Sequence, residues 1–241
     1  MSIVIARLVP DLLGLNGSSA NAEILAEYLR HAGQSVDVVT VSSPETAPGL
    51  VDVVCVGTGS ASSLSPAATA IIPLARVLGK WREAGAWMCA IGTGWDLLGQ
   101  SVITPAGETL PGAGIFASRA DHRRARFSGE VVGEDYQGRS SAGFVNQVGE
   151  VVLESGAQPL VNVEAPGEYP GSEGLIGERL LATRFGGPAL ALNPHWANDI
   201  AHSVVEHAGG VFQRTAFHDR VDAHAARARD LINSRLRAST E

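Results

Sequence analysis

The chain of 241 residues is poor in lysine and cysteine, with one lysine, Lys80, and two cysteines, Cys55 and Cys89. Its net charge at pH 7 is −7 and its sequence pI is near 5.5, so broad nucleic-acid binding is not expected. Both cysteines lie in apolar, strand-like runs, where cysteine behaves as a small hydrophobic residue. The sequence therefore predicts no disulfide framework, and we expect neither a metal nor a cofactor.

The chain also lacks a long uninterrupted apolar run. Its beginning, MSIVIARLVPDLLG, is briefly apolar like a signal peptide, but Arg7, Pro10 and Asp11 interrupt it and no small-residue cleavage site follows. No window reaches the roughly 18 apolar residues that a membrane-spanning helix needs. We therefore expect a cytoplasmic protein without membrane insertion.

The composition is that of a folded globular protein. Hydrophobic residues make up 45% of the chain and charged residues 18%, which is enough to fill a sizeable core. Glycine and proline are scattered along the sequence and are not gathered into a linker. We predict one domain over residues 1–241, without internal repeats.

Two kinds of pattern divide the chain. In the first hundred residues, Val- and Ile-rich runs alternate with helical patterns at 20–31 and 67–83, which is typical of a parallel sheet with crossover helices. Residues 102–183 contain short β segments with turn signals, which favour antiparallel strands added to that core. Two helices are predicted at the end, at about 196–208 and 219–237. The predicted parallel strands are 3–8, 36–41, 51–56 and 86–91.

The most informative segment is WMCAIGTGWDLLG, residues 87–99, in which an apolar strand leads through Gly92 and its neighbours directly into a helix start. A strand, a tight turn and a helix in this order form a nucleophile elbow, whose N–H groups at the helix start stabilise an oxyanion. Ordinary turns between strands and helices also contain glycine, so this segment alone does not establish an elbow.

Other segments, in the right order over nearly the whole chain, make the comparison specific. The opening VPDLLGLNGSSAN, the glycine-rich loop VDVVCVGTGSAS, the stretch ITPAGETLPGAGIF, the segment GFVNQ and the late segment TRFGGP resemble the motifs of one family. The sequence resembles the class I glutamine amidotransferases of the cobyric acid synthase type. Within them it is most similar to the glutaminase subunits of bacterial lipid II isoglutaminyl synthases.

This resemblance implies a fold, a pocket and a partner. The fold is class I glutamine amidotransferase-like (flavodoxin-like), a mostly parallel α/β sheet flanked by helices, with added antiparallel strands. The partner is a Mur-ligase-like ATP-dependent ligase subunit, to which such glutaminases pass ammonia. The pocket is expected to be lined by Gly57, Thr58, Gly59, Thr93, Gly94, Trp95, Asp96 and Gln147.

The departures from the family are as informative as the matches. The family's cysteine nucleophile follows the elbow strand, where this chain has Gly92, and the histidine that serves as its base falls on Gly186. Glycine supplies neither group, and deleting one member of such a catalytic unit typically costs about 10⁴ to 10⁶ in turnover. Four further motif positions, a Tyr, an Asp, a Glu and a His in the family, have also changed, to Asn16, Ser18, Val145 and Gln147.

Nearby residues are poor substitutes for the missing pair. Cys89 lies three residues before Gly92 in a strand, so its side chain should point to the opposite face and be buried. His195 is expected to be a surface or capping histidine. The serines after the glycine-rich loop have no identified base. These serines are Ser60, Ser62 and Ser63. The basic run at 121–126 could bind a phosphate or an acidic partner, but a short basic loop is more often solvated, and we expect that here.

The sequence thus predicts a catalytically inactive amidotransferase subunit that binds and supports a Mur-ligase-like enzyme. Two alternatives stay open. The remodelled pocket could perform other hydrolysis or acyl transfer with Ser60, Asp96 or a residue of the partner. It could also bind an amino acid without turnover, as a sensor domain does.

Overall fold

The computed structural model describes residues 2–164 and 169–238. A first sheet of six strands has the order β11-β12-β4-β3-β1-β2, in which all neighbours are parallel except the hairpin β11-β12. The central strands are buried on both faces, as their continuous apolar sequences require. The strands are β1 (Ile3–Leu8), β2 (Val36–Val41), β3 (Val53–Val56), β4 (Trp87–Ile91), β11 (Leu175–Gly177) and β12 (Leu180–Thr183).

Helices cover both faces of this sheet. On one face, α1 (Asn21–His31), α5 (Ala189–Leu192), α6 (Pro194–His207) and α7 (Ala216–Ala238) pack together, with buried Leu25, Trp196 and Ile200 in one core cluster. On the other face lie α2 (Leu64–Ile71), α3 (Ala75–Glu83) and the short α4 (Thr93–Leu98). The mostly parallel, helix-flanked sheet that the sequence predicts is confirmed.

The segment Ala61–Glu83 has the length and mean hydropathy, 1.3, of a membrane-spanning helix, although the sequence reading expected no such window. Here it contains α2 and α3, joined by the single turn Ile72–Leu74, which includes a proline. Its inward side chains, among them Ile71, Leu78 and Trp81, are buried in the same core cluster as strand residues of the first sheet. In this structure one face of the segment therefore packs into the core, and 33% of the apolar window is buried.

Most of the antiparallel strands form a second sheet, separate from the parallel one. Its order is β10-β9-β7-β5-β6, with β8 also paired to β7. The long hairpin β7-β8 dominates, and its register shifts between Asp121 and Arg126. The strands are β5 (Ser101–Ile103), β6 (Thr109–Pro111), β7 (Ser118–Asp135), β8 (Ser140–Leu153), β9 (Val161–Val163) and β10 (Ser172–Glu173).

A buried polar network fixes the turn of the β7-β8 hairpin to α6. The carboxylate of Asp135, 1% exposed, accepts hydrogen bonds from the backbone and side chain of Arg139 and from the indole N–H of Trp196 at 3.1 Å. Arg139 in turn donates two hydrogen bonds to Asp199 of α6, at 3.0 and 2.6 Å. The hairpin that carries part of the site described below is therefore anchored to the helical layer.

His195 belongs to this network, which corrects its expected position at the surface. Its side chain is only 14% exposed, and its Nε2 lies 3.1 Å from the hydroxyl of Ser141 and 3.5 Å from the carboxylate of Asp135. Burial, together with nearby Arg139, lowers the pKa of His195 to about 3. Because Ser141 and Asp135 approach the same ring nitrogen, the three do not form the relay of a hydrolytic triad.

Candidate functional site

The turn after β4 has the backbone of a nucleophile elbow. Gly92 follows Ile91 with φ 53° and ψ −121°, and α4 begins at Thr93. The N–H of Gly92 donates to the carbonyl of Thr183 at 2.8 Å, and its carbonyl accepts from the N–H of Asp96 at 3.1 Å. A positive φ is unfavourable for residues with a side chain, so the strained geometry is present and glycine relieves its strain.

The space that a side chain at Gly92 would occupy is already filled. A Cβ placed there would lie 2.5 Å from Nε2 of Gln147 and 2.5 Å from Oγ1 of Thr58. It would also lie 2.9 Å from the Cβ of Thr58, a distance that real Cβ atoms essentially never show. A side chain at Gly92 thus requires Thr58 and Gln147 to move.

The hydroxyl of Thr58 is at the centre of the hydrogen bonds that occupy this space. It accepts hydrogen bonds from the N–H of Thr93 at 3.2 Å and from Nε2 of Gln147 at 3.1 Å, and it pairs with the Thr93 hydroxyl at 3.2 Å. In a working elbow the N–H of the residue after the nucleophile is an oxyanion donor. Here that donor, on Thr93, is committed to a side chain of the protein itself.

A cavity of about 410 Å³ opens beside the elbow. Four of the predicted pocket residues, Thr58, Gly59, Thr93 and Gln147, line it, and so does Gly186. The remaining lining residues are Leu15, Asn16, Ser60, Ala61, Leu64, His122, Arg126, Phe144, Asn146, Val148 and Gly187.

The other four predicted pocket residues lie outside this lining. Gly57 and Gly94 cross closely, with the N–H of Gly94 donating to the carbonyl of Gly57 at 3.0 Å, and a Cβ on Gly94 would lie 2.4 Å from that carbonyl oxygen. Trp95 is 2% exposed and donates to the Ser118 hydroxyl at 3.0 Å. Asp96 is also 2% exposed and lies behind His122. These residues support the wall of the cavity.

The sequence pattern does not single out His122 from the basic run at 121–126. It lies in the run expected to be a solvated loop, but that run is part of β7, and His122 is 7% exposed. Its Nε2 is 2.8 Å from Oδ2 of Asp96, which lies 26 positions earlier. The arginines of the run fit the expectation better, since Arg123 and Arg124 form exposed ion pairs with carboxylates.

Gly59 of the loop, Thr93 of the elbow helix and Gly186 thus line one cavity, in the chain order of the motifs that suggested an amidotransferase. Residues 18–193 match the family of CobB/CobQ-like glutamine amidotransferase domains. The chain belongs to this family.

Individual relatives agree with the assignment. Subunit GatD of the glutamine-hydrolyzing lipid II isoglutaminyl synthase from Staphylococcus aureus (strain N315) is 24% identical over 216 residues, 88% of each chain. A crystal structure of a glutamine amidotransferase matches with a TM-score of 0.53 and 17% identity, over 83% of this chain and 99% of that one. PurLQS from Thermotoga maritima matches with a TM-score of 0.51 and 14% identity, over 86% and 100% of the two chains. The predicted family and fold class are confirmed.

The cysteines of this amidotransferase domain are remote from elbow chemistry. Cys55 and Cys89 are partners in the register of β3 and β4, and both are buried and free. The hydrogen bond to Cys89 and burial raise the pKa of the Cys55 thiol well above its ordinary value. A buried thiol with a raised pKa is a poor nucleophile.

On the far side of the elbow, a buried carboxyl group supports the strand that leads to Gly186. Glu173, 3% exposed, accepts hydrogen bonds from the Thr183 hydroxyl at 2.8 Å and from the N–H of Arg184 at 2.5 Å. Thr183 is the residue whose carbonyl accepts the N–H of Gly92. Burial raises the pKa of Glu173 to about 7, against the opposing effect of these donors.

Replacing the carboxyl group of Glu173 with an amide tests how its ionisation affects the stability of the fold. Between pH 4.5 and about 7 the folded protein keeps a proton that the unfolded chain has released, so Glu173 weakens the fold progressively as pH rises through this range. We expect Glu173→Gln to raise the free energy of unfolding by roughly 2 to 3 kcal/mol more at about pH 8 than at about pH 5, measured by urea denaturation. Glu154→Gln serves as the control, since the side chain of Glu154 is 40% exposed. An equal effect of Glu173→Gln at both pH values would contradict the assignment.

Proposed function

We propose that this chain is a non-hydrolysing amidotransferase subunit that binds and supports a Mur-ligase-like ATP-dependent amide ligase in the cytoplasm. The observation that carries the proposal is the filled elbow. Gly92 has no nucleophile, and Thr58 and Gln147 occupy both the space for one and the oxyanion donor. A subunit without a nucleophile or a free oxyanion donor contributes to a complex through binding alone.

The position of Gly186 supports the loss of the base as well. It lines the same cavity as Thr58 and Thr93, and its N–H donates to the carbonyl of Phe144 at 2.8 Å. The resemblance places the family's histidine base here, close to the elbow, and no imidazole replaces it at this position. His122 does line the cavity, but it lies on β7, far from Gly186 in the chain. Its Nε2 contacts the carboxylate of Asp96.

A partner role is supported by the relative and by the rim of the cavity. The GatD relative is named as a subunit of a synthase, which indicates an assembly with another chain. Two large apolar side chains on the rim are exposed to solvent, Leu15 at 46% and Phe144 at 48%. Exposed apolar side chains around a pocket are typical of surfaces that a protein partner covers.

Charged substitutions on this rim should weaken the complex. We expect the double variant Leu15→Glu with Phe144→Glu to bind the Mur-ligase-like partner at least about tenfold more weakly in calorimetry, because buried charge replaces apolar contact. Leu231→Glu on α7, where the side chain is 73% exposed and distant in sequence from the rim, is the matched control. Equal binding by wild type and rim variant would reject this surface. No copurifying ligase at all would remove the main support for the proposed function.

A further inference from the structure

A second cavity, of about 490 Å³, lies at the C-terminal end of β8 and shares no described lining residue with the cavity beside Gly92. We call it the β8 cavity, and its walls include residues 149–153 and the segment that leads from Tyr169 into β10. The rings of Trp95, Phe127 and Tyr169 line it, and Phe127 meets Tyr169 edge to face with their centroids 4.7 Å apart. Aromatic walls of this kind favour a flat aromatic ligand, because ring contacts stabilise beyond the apolar area that they bury.

The charged groups in the walls of the β8 cavity balance one another. At the exposed rim, Arg124 and Glu150 form an ion pair at 3.1 Å. At the buried end, Glu173 and Arg184 are 3% and 5% exposed, and the backbone N–H of Arg184 donates to the Glu173 carboxylate at 2.5 Å. The guanidinium of Arg184 donates to two carbonyls of β8, at 2.7 and 2.8 Å. The described walls thus offer no unpaired counter-charge, so they favour a neutral ligand over a charged one, which would lose its hydration without compensation.

Tyr169 supplies a polar group that has no partner within the protein. The residue is 8% exposed and lines the β8 cavity, and no hydrogen bond joins its hydroxyl to another described residue. Burial and the nearby carboxyl group of Glu173 raise the pKa of Tyr169, so the phenol keeps its proton at neutral pH. The influence of Glu173 places this hydroxyl toward the buried end of the cavity. A ligand group that reaches it therefore gains a hydrogen bond that the protein itself leaves unmade.

From these observations we propose that the β8 cavity binds a neutral, planar aromatic molecule with one hydrogen-bonding group, which packs against Phe127 and Tyr169 and bonds the Tyr169 hydroxyl. The aromatic walls select the ring, the balanced charges select against a net charge, and the unpartnered hydroxyl selects the polar group. The site requires neither the ligase partner nor the loss of glutaminase chemistry. Its failure would therefore leave the proposed function untouched, and the reverse also holds.

Calorimetric titration of the full chain tests this site with two neutral probes, phenol and indole, and two charged ones, sodium benzoate and benzylamine hydrochloride. We expect saturable one-to-one binding of phenol or indole with a Kd of about 1 mM or tighter, and binding of both charged probes at least about threefold weaker. Tyr169→Phe, which removes only the hydroxyl, should weaken the neutral probe about threefold or more, because one hydrogen bond is lost. Phe127→Leu should weaken it as well, because a ring contact is lost while the apolar surface stays.

Two matched variants serve as controls for these substitutions. Tyr136→Phe and Phe212→Leu make the same changes at residues that do not line the β8 cavity, and both should bind the neutral probe like the wild type. Thermal unfolding shows whether each variant is folded. If Phe127→Leu does not fold, the conservative Tyr169→Phe decides the result.

NMR spectroscopy of the wild type locates the bound probe. We expect nuclear Overhauser effects between the probe and the methyl groups of Val152 and Leu153, which line the β8 cavity. Contacts with Leu64 instead, in the cavity beside Gly92, would overturn the proposal. So would a lack of saturable binding by both neutral probes, a charged probe that binds within about threefold of the neutral one, or unchanged affinity in Tyr169→Phe.

Discussion

Purified wild-type protein should release no ammonia from glutamine above the buffer background, alone or with the proposed ligase partner. The reason is the combined loss at Gly92 and Gly186 and the commitment of the Thr93 N–H to Thr58. Such losses reduce turnover by about 10⁴ or more, which brings the rate below detection. A coupled glutamate dehydrogenase assay of ammonia makes the measurement. Turnover that survives repurification would refute the central claim.

Restoring the two family residues alone should not restore activity. The double variant Gly92→Cys with Gly186→His places a Cβ within 2.5 Å of both Thr58 and Gln147, at a backbone φ of 53°. We expect this variant to be inactive and less stable. Adding Thr58→Gly and Gln147→Ala removes the contacting atoms and should make the introduced cysteine reactive toward iodoacetamide.

The matched control for this series is Gly79→Cys. A Cβ at Gly79, within α3, would meet nothing within 4 Å, so a cysteine there should leave the melting temperature near that of the wild type. If the Gly92→Cys protein melts like the Gly79→Cys protein, the elbow is more open than the structure shows.

Asp135→Ala should cost about 3 kcal/mol of unfolding free energy, because a buried donor left without its acceptor costs about 1 to 3 kcal/mol and several donors converge on this carboxylate. The substitution leaves the Nε–H of Arg139 and the indole N–H of Trp196 without their acceptor, while the guanidinium keeps its two hydrogen bonds to Asp199. Urea denaturation at neutral pH measures the effect. Because the same network holds the β7-β8 hairpin, the variant should also loosen the cavity wall formed by Asn146 and Gln147.

A surface pair provides the comparison for Asp135. Arg124 and Glu150 form an ion pair at 3.1 Å on the same hairpin, with side chains 68% and 43% exposed. Glu150→Ala should change the unfolding free energy by less than about 1 kcal/mol, because exposed ion pairs contribute little. Similar costs for Glu150→Ala and Asp135→Ala would show that the buried network does not anchor the hairpin.

Much of the fold is legible in local sequence patterns. The predicted strands 3–8 and 36–41 have the bounds of β1 and β2, and the predicted helix at 20–31 begins one residue before α1. These elements follow from the spacing of apolar residues along a few turns or strand residues. The β segments of residues 102–183 were also recognised as strands.

The pairing of these strands into two sheets is harder to predict, because the sequence pattern of one strand does not show which strand lies beside it. The strand β12 lies parallel to β4 within the first sheet, whereas β5 runs parallel to β7 in the second. These pairings join segments far apart in the chain, and hydrophobic alternation is the same for either sheet.

The candidate site likewise combines features that local sequence predicts with features that depend on contacts between distant segments. Motif order identified the glycines at the elbow, but the collision of Thr58 with a side chain at Gly92 depends on distances between separate loops. The pairing of Asp96 with His122 is hidden for the same reason, since it joins a short helix to a strand in the other sheet.

The filled elbow has a consequence for how this protein can change. A single mutation that introduces any side chain at Gly92 is penalised twice, by the backbone conformation and by the atoms of Thr58 and Gln147. Placing a nucleophile at Gly92 therefore requires Thr58 and Gln147, in two other segments of the chain, to rearrange or be replaced. A change at Gly92 alone is therefore expected to lower the stability of the turn before it adds any chemistry.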